Sequence, residues 1–88
     1  MERIVRIVNP EGLHARPSGA IVNVALRYES ALRVGVGERD VNGRSILEVI
    51  SLGATCGTEL VLRAEGPDAL ALLDELETLI GAGFEEVG

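Results

Sequence analysis

The apolar residues of this chain keep changing their spacing, and no single spacing lasts long. Val5 and Ile7 sit two apart in the opening stretch, ERIVRIV, with Ile4, Arg6 and Val8 between and beyond them. Ile21, Val24, Ala25 and Tyr28 then follow at intervals of three and four, and Leu32, Val34 and Val36 return to every second position. Alternation gives a strand one apolar face, whereas the longer spacing gives a helix one apolar stripe. Neither face can be buried alone, so short strands and short helices must cover one another.

Turn-forming residues fix where each element begins and ends. Asn9-Pro10-Glu11-Gly12 is a turn. Pro17 is tolerated only in the first turn of a helix, where amide hydrogens have no helical partner. The first helix therefore starts within a residue or two of Ala15 and runs to about Tyr28, with His14 at its N-cap. Gly37-Glu38 turns a hairpin into a strand over 39–42. Ser45, with Glu48 three residues on, predicts a capping box and a helix of about two turns that Gly53 ends. Leu60, Leu62 and Ala64 face inward on a strand over 58–64. Gly66-Pro67-Asp68 opens a last helix with Ala69, Leu73, Leu76 and Ile80 in its core stripe, flanked by Leu72 and Leu79 and closed by Gly81. The order is βαββαβα. It predicts one α+β domain over 1–88, a two-layer sandwich with three helices on one face of a four-stranded antiparallel sheet and a partly charged outer face.

Composition narrows the function. The only aromatic residues are Tyr28 and Phe84, so the core must be aliphatic. All eight basic residues are arginine, and the formal net charge is −6. An acidic chain without a basic run is a poor nucleic-acid binder, which leaves proteins or small molecules as partners. No apolar run approaches a membrane span, and the N-terminus lacks a signal-peptide pattern. The single cysteine, Cys56, suits a reducing cytoplasm and is expected to be a small buried or half-buried residue. Glu85 and Glu86 are expected on the solvated surface.

The single histidine lies in EGLHARPS, residues 11–18. A histidine beside a turn can be a plain helix cap or surface residue. The local chemistry offers more. A helix N-terminus presents free amide hydrogens and a positive dipole end, which attract phosphate. That field disfavours a second positive charge and so favours neutral, nucleophilic imidazole. Arg16 can make a forked contact with phosphate oxygens, and Pro17 stiffens the turn. Together these describe an imidazole that accepts a phosphoryl group and a cradle that holds it. A catalytic triad lacks an assignable carboxylate, and one His with one distant Cys is weak support for a metal. No cofactor is implied.

Three segments carry a family resemblance. GLHARP, from Gly12 to Pro17, resembles the active-site motif of the HPr family, the histidine-containing phosphocarriers of the sugar phosphotransferase system. VNGRSILEVISLG, from Val41 to Gly53, is similar to that family's regulatory-serine region, and AEGPD, from Ala64 to Asp68, to its approach to the last helix. The resemblance implies the family's open-faced β-sandwich. It implies a carrier without substrate turnover of its own, in which His14 accepts a phosphoryl group on Nδ1 from Enzyme I and passes it to an Enzyme IIA-type permease component, with Arg16 stabilising the phosphate. A monomer is expected, because a carrier shows one face to successive partners.

The resemblance also implies partner contacts at Ala15, Pro17, Arg44, Ile46, Leu47, Leu52 and Gly53. Two helical turns cannot bury every apolar residue from Ile46 to Leu52. Val49, Ile50 and Leu52 are therefore expected in the core, and Ile46 and Leu47 in an exposed patch near His14. Ser45 matches the serine modified by HPr kinase/phosphorylase, a change that weakens Enzyme I docking and can recruit a transcriptional co-regulator. Departures lie on the docking face. Where many relatives carry lysines on the first helix, this chain has Asn23, Val24 and Leu26 with Arg27 alone adding charge, and Arg44 is a candidate for the missing positive rim. Gly19 stands where a helix-favouring alanine is usual. The alternative reading is an HPr-like regulatory module, serving nitrogen-related phosphotransfer or Ser45-dependent catabolite control.

Overall fold

A computed structural model describes residues 1–85. Seven elements follow the expected order: β1 (Glu2–Arg6), α1 (Ala15–Ala25), β2 (Ala31–Val36), β3 (Arg39–Asn42), α2 (Ile46–Ser51), β4 (Glu59–Glu65) and α3 (Ala69–Gly81). The strands form one antiparallel sheet in the order β1-β4-β2-β3. Val5 stands opposite Leu60, and Val34 opposite both Leu62 and Val41, which puts these aliphatic side chains in adjacent rows beneath the helices. Val5, Ile7, Leu32, Val34, Leu60, Leu62 and Ala64 are all buried, as the alternation requires.

The helices cover that face with the expected stripes. Ile21, Val24 and Ala25 of α1 are buried, joined by Val22, which helical spacing from Ile21 does not single out. Ala69, Leu72, Leu73, Leu76 and Ile80 of α3 are buried, and Leu79 packs at the edge. The other sheet face is charged. Glu2, Arg63, Asp40 and Arg33 form a chain of ion pairs at 3.1–3.2 Å across the strands. Ile4 lies exposed on this face. Exposed pairs of this kind add little stability.

Several boundaries differ from the sequence expectations for local reasons. The first helix stops at Ala25, three residues before Tyr28, and Arg27 and Tyr28 continue only as a tighter turn onto the carbonyls of Val24 and Ala25. The last helix includes Gly81, and the chain turns afterwards at Gly83 (φ +69°) and Phe84 (φ +63°). Half of the capping box forms. The Glu48 amide donates to Ser45 Oγ at 3.3 Å, but the Glu48 carboxylate accepts from the Asn42 amide at 3.2 Å, because the Ser45 amide already donates to Asn42 O. Cys56 is exposed, not buried: it sits on a turn closed by Thr58 N to Thr55 O, which lifts its side chain off the core. Glu85 is exposed as expected, and Glu86 lies outside the described residues.

Candidate functional site

The loop before α1 is built around Gly12. Its φ of +68° favours glycine, and a Cβ there would stand 2.4 Å from the carbonyl oxygen of Ala54. That close approach lets the Leu13 amide donate to Ala54 O at 2.9 Å and buries the Leu13 side chain. Asn9 holds the turn from the other side, with Nδ2 donating to Gly12 O at 2.8 Å and its carbonyl accepting the Gly12 amide. A rigid loop therefore delivers the chain to the start of α1.

His14 is the N-cap, with extended backbone at φ −71° and ψ −176°, and its carbonyl accepts the Ser18 amide at 3.0 Å. Its side chain makes no capping hydrogen bond. His14 thus caps the helix through its backbone, as the sequence predicts, while its imidazole is exposed and takes no part in the cap. Ser18 Oγ is buried and donates to Leu13 O at 3.1 Å, which ties the first turn back to the loop. Pro17 has no amide hydrogen. The Ala15 and Arg16 amides are thus the first-turn donors left without a helical acceptor.

The arginines separate sharply. Arg3 pairs with Asp74 and Glu77, Arg6 with Glu59, Arg27 with Glu75, Arg33 with Asp40, and Arg63 with Glu2 and Asp40. Arg39 donates to Ser51, and Arg44 donates to Ala25 O at 3.3 Å and Tyr28 O at 3.0 Å. Arg16 alone has no hydrogen-bond or ion-pair partner among the described residues. Among the described residues, an exposed guanidinium without a partner lies two residues from an exposed imidazole at a helix N-terminus, an arrangement whose chemistry suits an anion beside a nucleophilic nitrogen.

Two shallow hollows meet at His14. The larger, about 1050 Å³, runs between α1 and the end of α3 and is lined by Glu11, Arg16, Gly19, Asn23, Leu79 and Phe84 among others. The smaller, about 480 Å³, lies between the loop and α2, against Leu13, Ile50, Gly53, Ala54 and Thr55. Ala15 lines both, and Pro17 lines the larger. Sequence reasoning missed Phe84, Leu79, Glu11 and Thr55 as lining residues of the hollows that meet at His14. Glu11 was visible in the motif; the others come from distant segments and gave no local signal.

The sequence-expected docking residues divide. Ile46 and Leu47 are exposed at 42% and 81%, Val49 and Leu52 are buried, and Ile50 is half-buried. Gly53 takes the left-handed conformation at φ +61° that ends α2. Arg44 is exposed but folded onto the carbonyl of Ala25, the last residue of α1, and that of Tyr28 in the turn beyond it, near a helix end where a cation is favoured, so its guanidinium clamps α2 beside α1. Ser45 is half-exposed at the N-cap of α2.

Residues 1–82 match the family model for the PTS HPr component phosphorylation site. The chain belongs to the HPr family of phosphocarriers. Among its relatives, the phosphocarrier protein HPr of Treponema pallidum is 42% identical, with 96% of each chain covered. A multiphosphoryl transfer protein of Vibrio cholerae is 44% identical over 92% of this chain, which spans only 21% of that larger protein. The crystal structure of HPr-C-His from Thermoanaerobacter tengcongensis superposes with a TM-score of 0.92 at 36% identity, covering 99% of both chains. Among the described residues no group of His, Cys, Asp and Glu could hold a metal ion, and no helix is long and apolar enough to cross a membrane.

Proposed function

We propose that His14 is the phosphoryl acceptor and donor of this carrier and that Arg16 holds the phosphate. The observation that carries the reading is the pair of unengaged side chains: an N-cap imidazole that makes no cap bond, beside the one arginine without a partner among the described residues. The lone pair of neutral His14 Nδ1 attacks phosphorus as the donor's P–N bond breaks, and the donor nitrogen keeps the electron pair. Arg16 and the Ala15 and Arg16 amides stabilise the equatorial oxygens during transfer. The donor is a phosphohistidine of Enzyme I in the cytoplasm, and the acceptor is a histidine of an Enzyme IIA-type component serving sugar uptake. Residues 1–88 act as one domain that returns unchanged after each relay, so it is a carrier without turnover of its own. Ile46 and Leu47 are the apolar docking contacts.

Ser45 is proposed as a second, regulatory phosphorylation site. Its half-exposed hydroxyl adjoins Ile46 and Leu47, and a phosphate there adds about −1.5 to −2 charge to the docking face.

The test is intact-protein mass spectrometry after incubation with phosphoenolpyruvate, Mg²⁺ and cognate Enzyme I. Wild type should gain one acid-labile phosphoryl group, and His14→Ala should gain none. A labelled His14→Ala protein, or an unlabelled wild type with demonstrably active Enzyme I, would sink this reading.

A further inference from the structure

The exposed His14 imidazole makes no cap bond, so the backbone on either side of its Cα sets where it stands. The peptide units there are not held alike. The Gly12–Leu13 peptide is pinned at both ends, its carbonyl by Asn9 Nδ2 at 2.8 Å and its amide on Ala54 O at 2.9 Å. The next unit, Leu13–His14, has one hold. Its amide, on His14, has no hydrogen-bond partner among the described residues. Its carbonyl, on Leu13, lacks the donor that would extend the helical ladder back to it. That donor would come from four residues on, which is Pro17, and proline has no amide hydrogen. Ser18 supplies the missing bond: its Oγ donates to Leu13 O at 3.1 Å and is the only group to do so among the described residues. Ser18 is fully buried and lines neither hollow that meets at His14. A serine so placed serves the local backbone and offers nothing to a partner.

We propose that Ser18 is a positioning residue for phosphoryl transfer. By bracing the Leu13 carbonyl it fixes the peptide plane from which His14 departs, and with it the line along which the imidazole nitrogen meets phosphorus. This rests on the carrier reading of His14. Without the hydroxyl, the Leu13–His14 peptide is held at neither end, and rotation about its flanking bonds carries the imidazole with it. Misplacing a reacting group by about 1 Å can cost about 100-fold in rate. Loss of one neutral hydrogen bond allows a smaller excursion, and a loss of about tenfold is expected.

Rapid-quench mixing of phosphorylated cognate Enzyme I with increasing carrier gives a limiting transfer rate and a half-saturating concentration. Ser18→Ala should lower the limiting rate about tenfold. Its half-saturating concentration should stay within about twofold of wild type, because no docking surface has changed. Ser30→Ala deletes another buried hydroxyl, one bonded to Asp68 and outside both hollows, and should transfer at the wild-type rate. A Ser18→Ala protein with the wild-type limiting rate overturns the positioning role. So does a loss confined to the half-saturating concentration, or an equal loss in Ser30→Ala, which would mark general loosening of the fold. No transfer to wild type from demonstrably active Enzyme I overturns the carrier reading and this inference with it.

Discussion

At the scale of single residues, the arginines divide into those that hold the fold and one that does not. Arg44 reaches across from the start of α2 to the carbonyl of Ala25, the last residue of α1, and to that of Tyr28 in the turn beyond it. Arg16 reaches no partner among the described residues. The two truncations should therefore have opposite signatures. Arg44→Ala is expected to cost about 1 kcal/mol of stability, the worth of an ordinary hydrogen-bonded tie. Arg16→Ala should leave the denaturation midpoint within about 0.5 kcal/mol of wild type and slow phosphotransfer by roughly 100-fold, as removal of a transition-state donor does. Urea melts and single-turnover transfer on both variants check this. Substantial destabilisation by Arg16→Ala would mean that the guanidinium has a structural task. The GLHARP motif singles Arg16 out in the sequence. It gives no hint that Arg44 is a clamp, because the carbonyls it meets lie 16 and 19 residues upstream.

At the scale of elements, most boundaries were legible because their causes are local. Alternation marks β1, β2 and β4, Gly37-Glu38 makes the hairpin, and Pro17 dates the start of α1 to within a turn. Two features were not legible. Asp68 ends the Gly66-Pro67-Asp68 stretch that opens the last helix, and its backbone caps α3, yet its carboxylate makes no cap bond. It accepts instead from the amides of Glu29 and Ser30 at 2.9 Å and from Ser30 Oγ at 2.5 Å, tying the α1–β2 loop to the start of α3. Spacing cannot forecast a tie between residues 38 and 39 positions apart. Likewise, the motif announces a turn at Gly12 but not the backbone of Ala54 pressed against it. Gly19 is the reverse case, a glycine that the structure does not require. A Cβ built there meets nothing within 4 Å. Gly19→Ala should raise stability by about 1 kcal/mol, through helix propensity and a less free unfolded chain. Denaturant melts measure the gain, and phosphorylation of His14 should persist, because the added methyl borders the larger hollow without touching the imidazole's loop. A loss of stability would show that α1 is locally strained.

At the scale of the whole molecule, two carboxylates tie α3 and its cap to the segment between α1 and β2, and both hold their protons more weakly in the fold than outside it. Asp68 lies below the ordinary carboxylate range, first because Ser30 donates its hydroxyl and then because Glu29 and Ser30 donate amides. Glu75 on α3 is lowered first by the Tyr28 hydroxyl at 2.6 Å and then by Arg27. The same bond raises the Tyr28 phenol, since losing that proton would set two negative charges together. The signs follow by linkage. A depressed carboxylate contributes stability above its unfolded value of about 4, and that contribution is lost as pH falls through the lower folded value. A raised phenol contributes below its unfolded value of about 10, and that contribution is lost as pH rises toward its folded value. The Tyr28–Glu75 contact between α1 and α3 is thus weakened at both ends of the pH scale. Thermal midpoints measured from acid to alkaline pH should show a plateau with both limbs falling. Tyr28→Phe should flatten the alkaline limb and part of the acid limb, and Asp68→Asn should flatten the acid limb alone. If Tyr28→Phe leaves the alkaline limb unchanged, the phenol is not what joins α1 to α3, and the aliphatic stripes of the two helices must hold that interface by themselves.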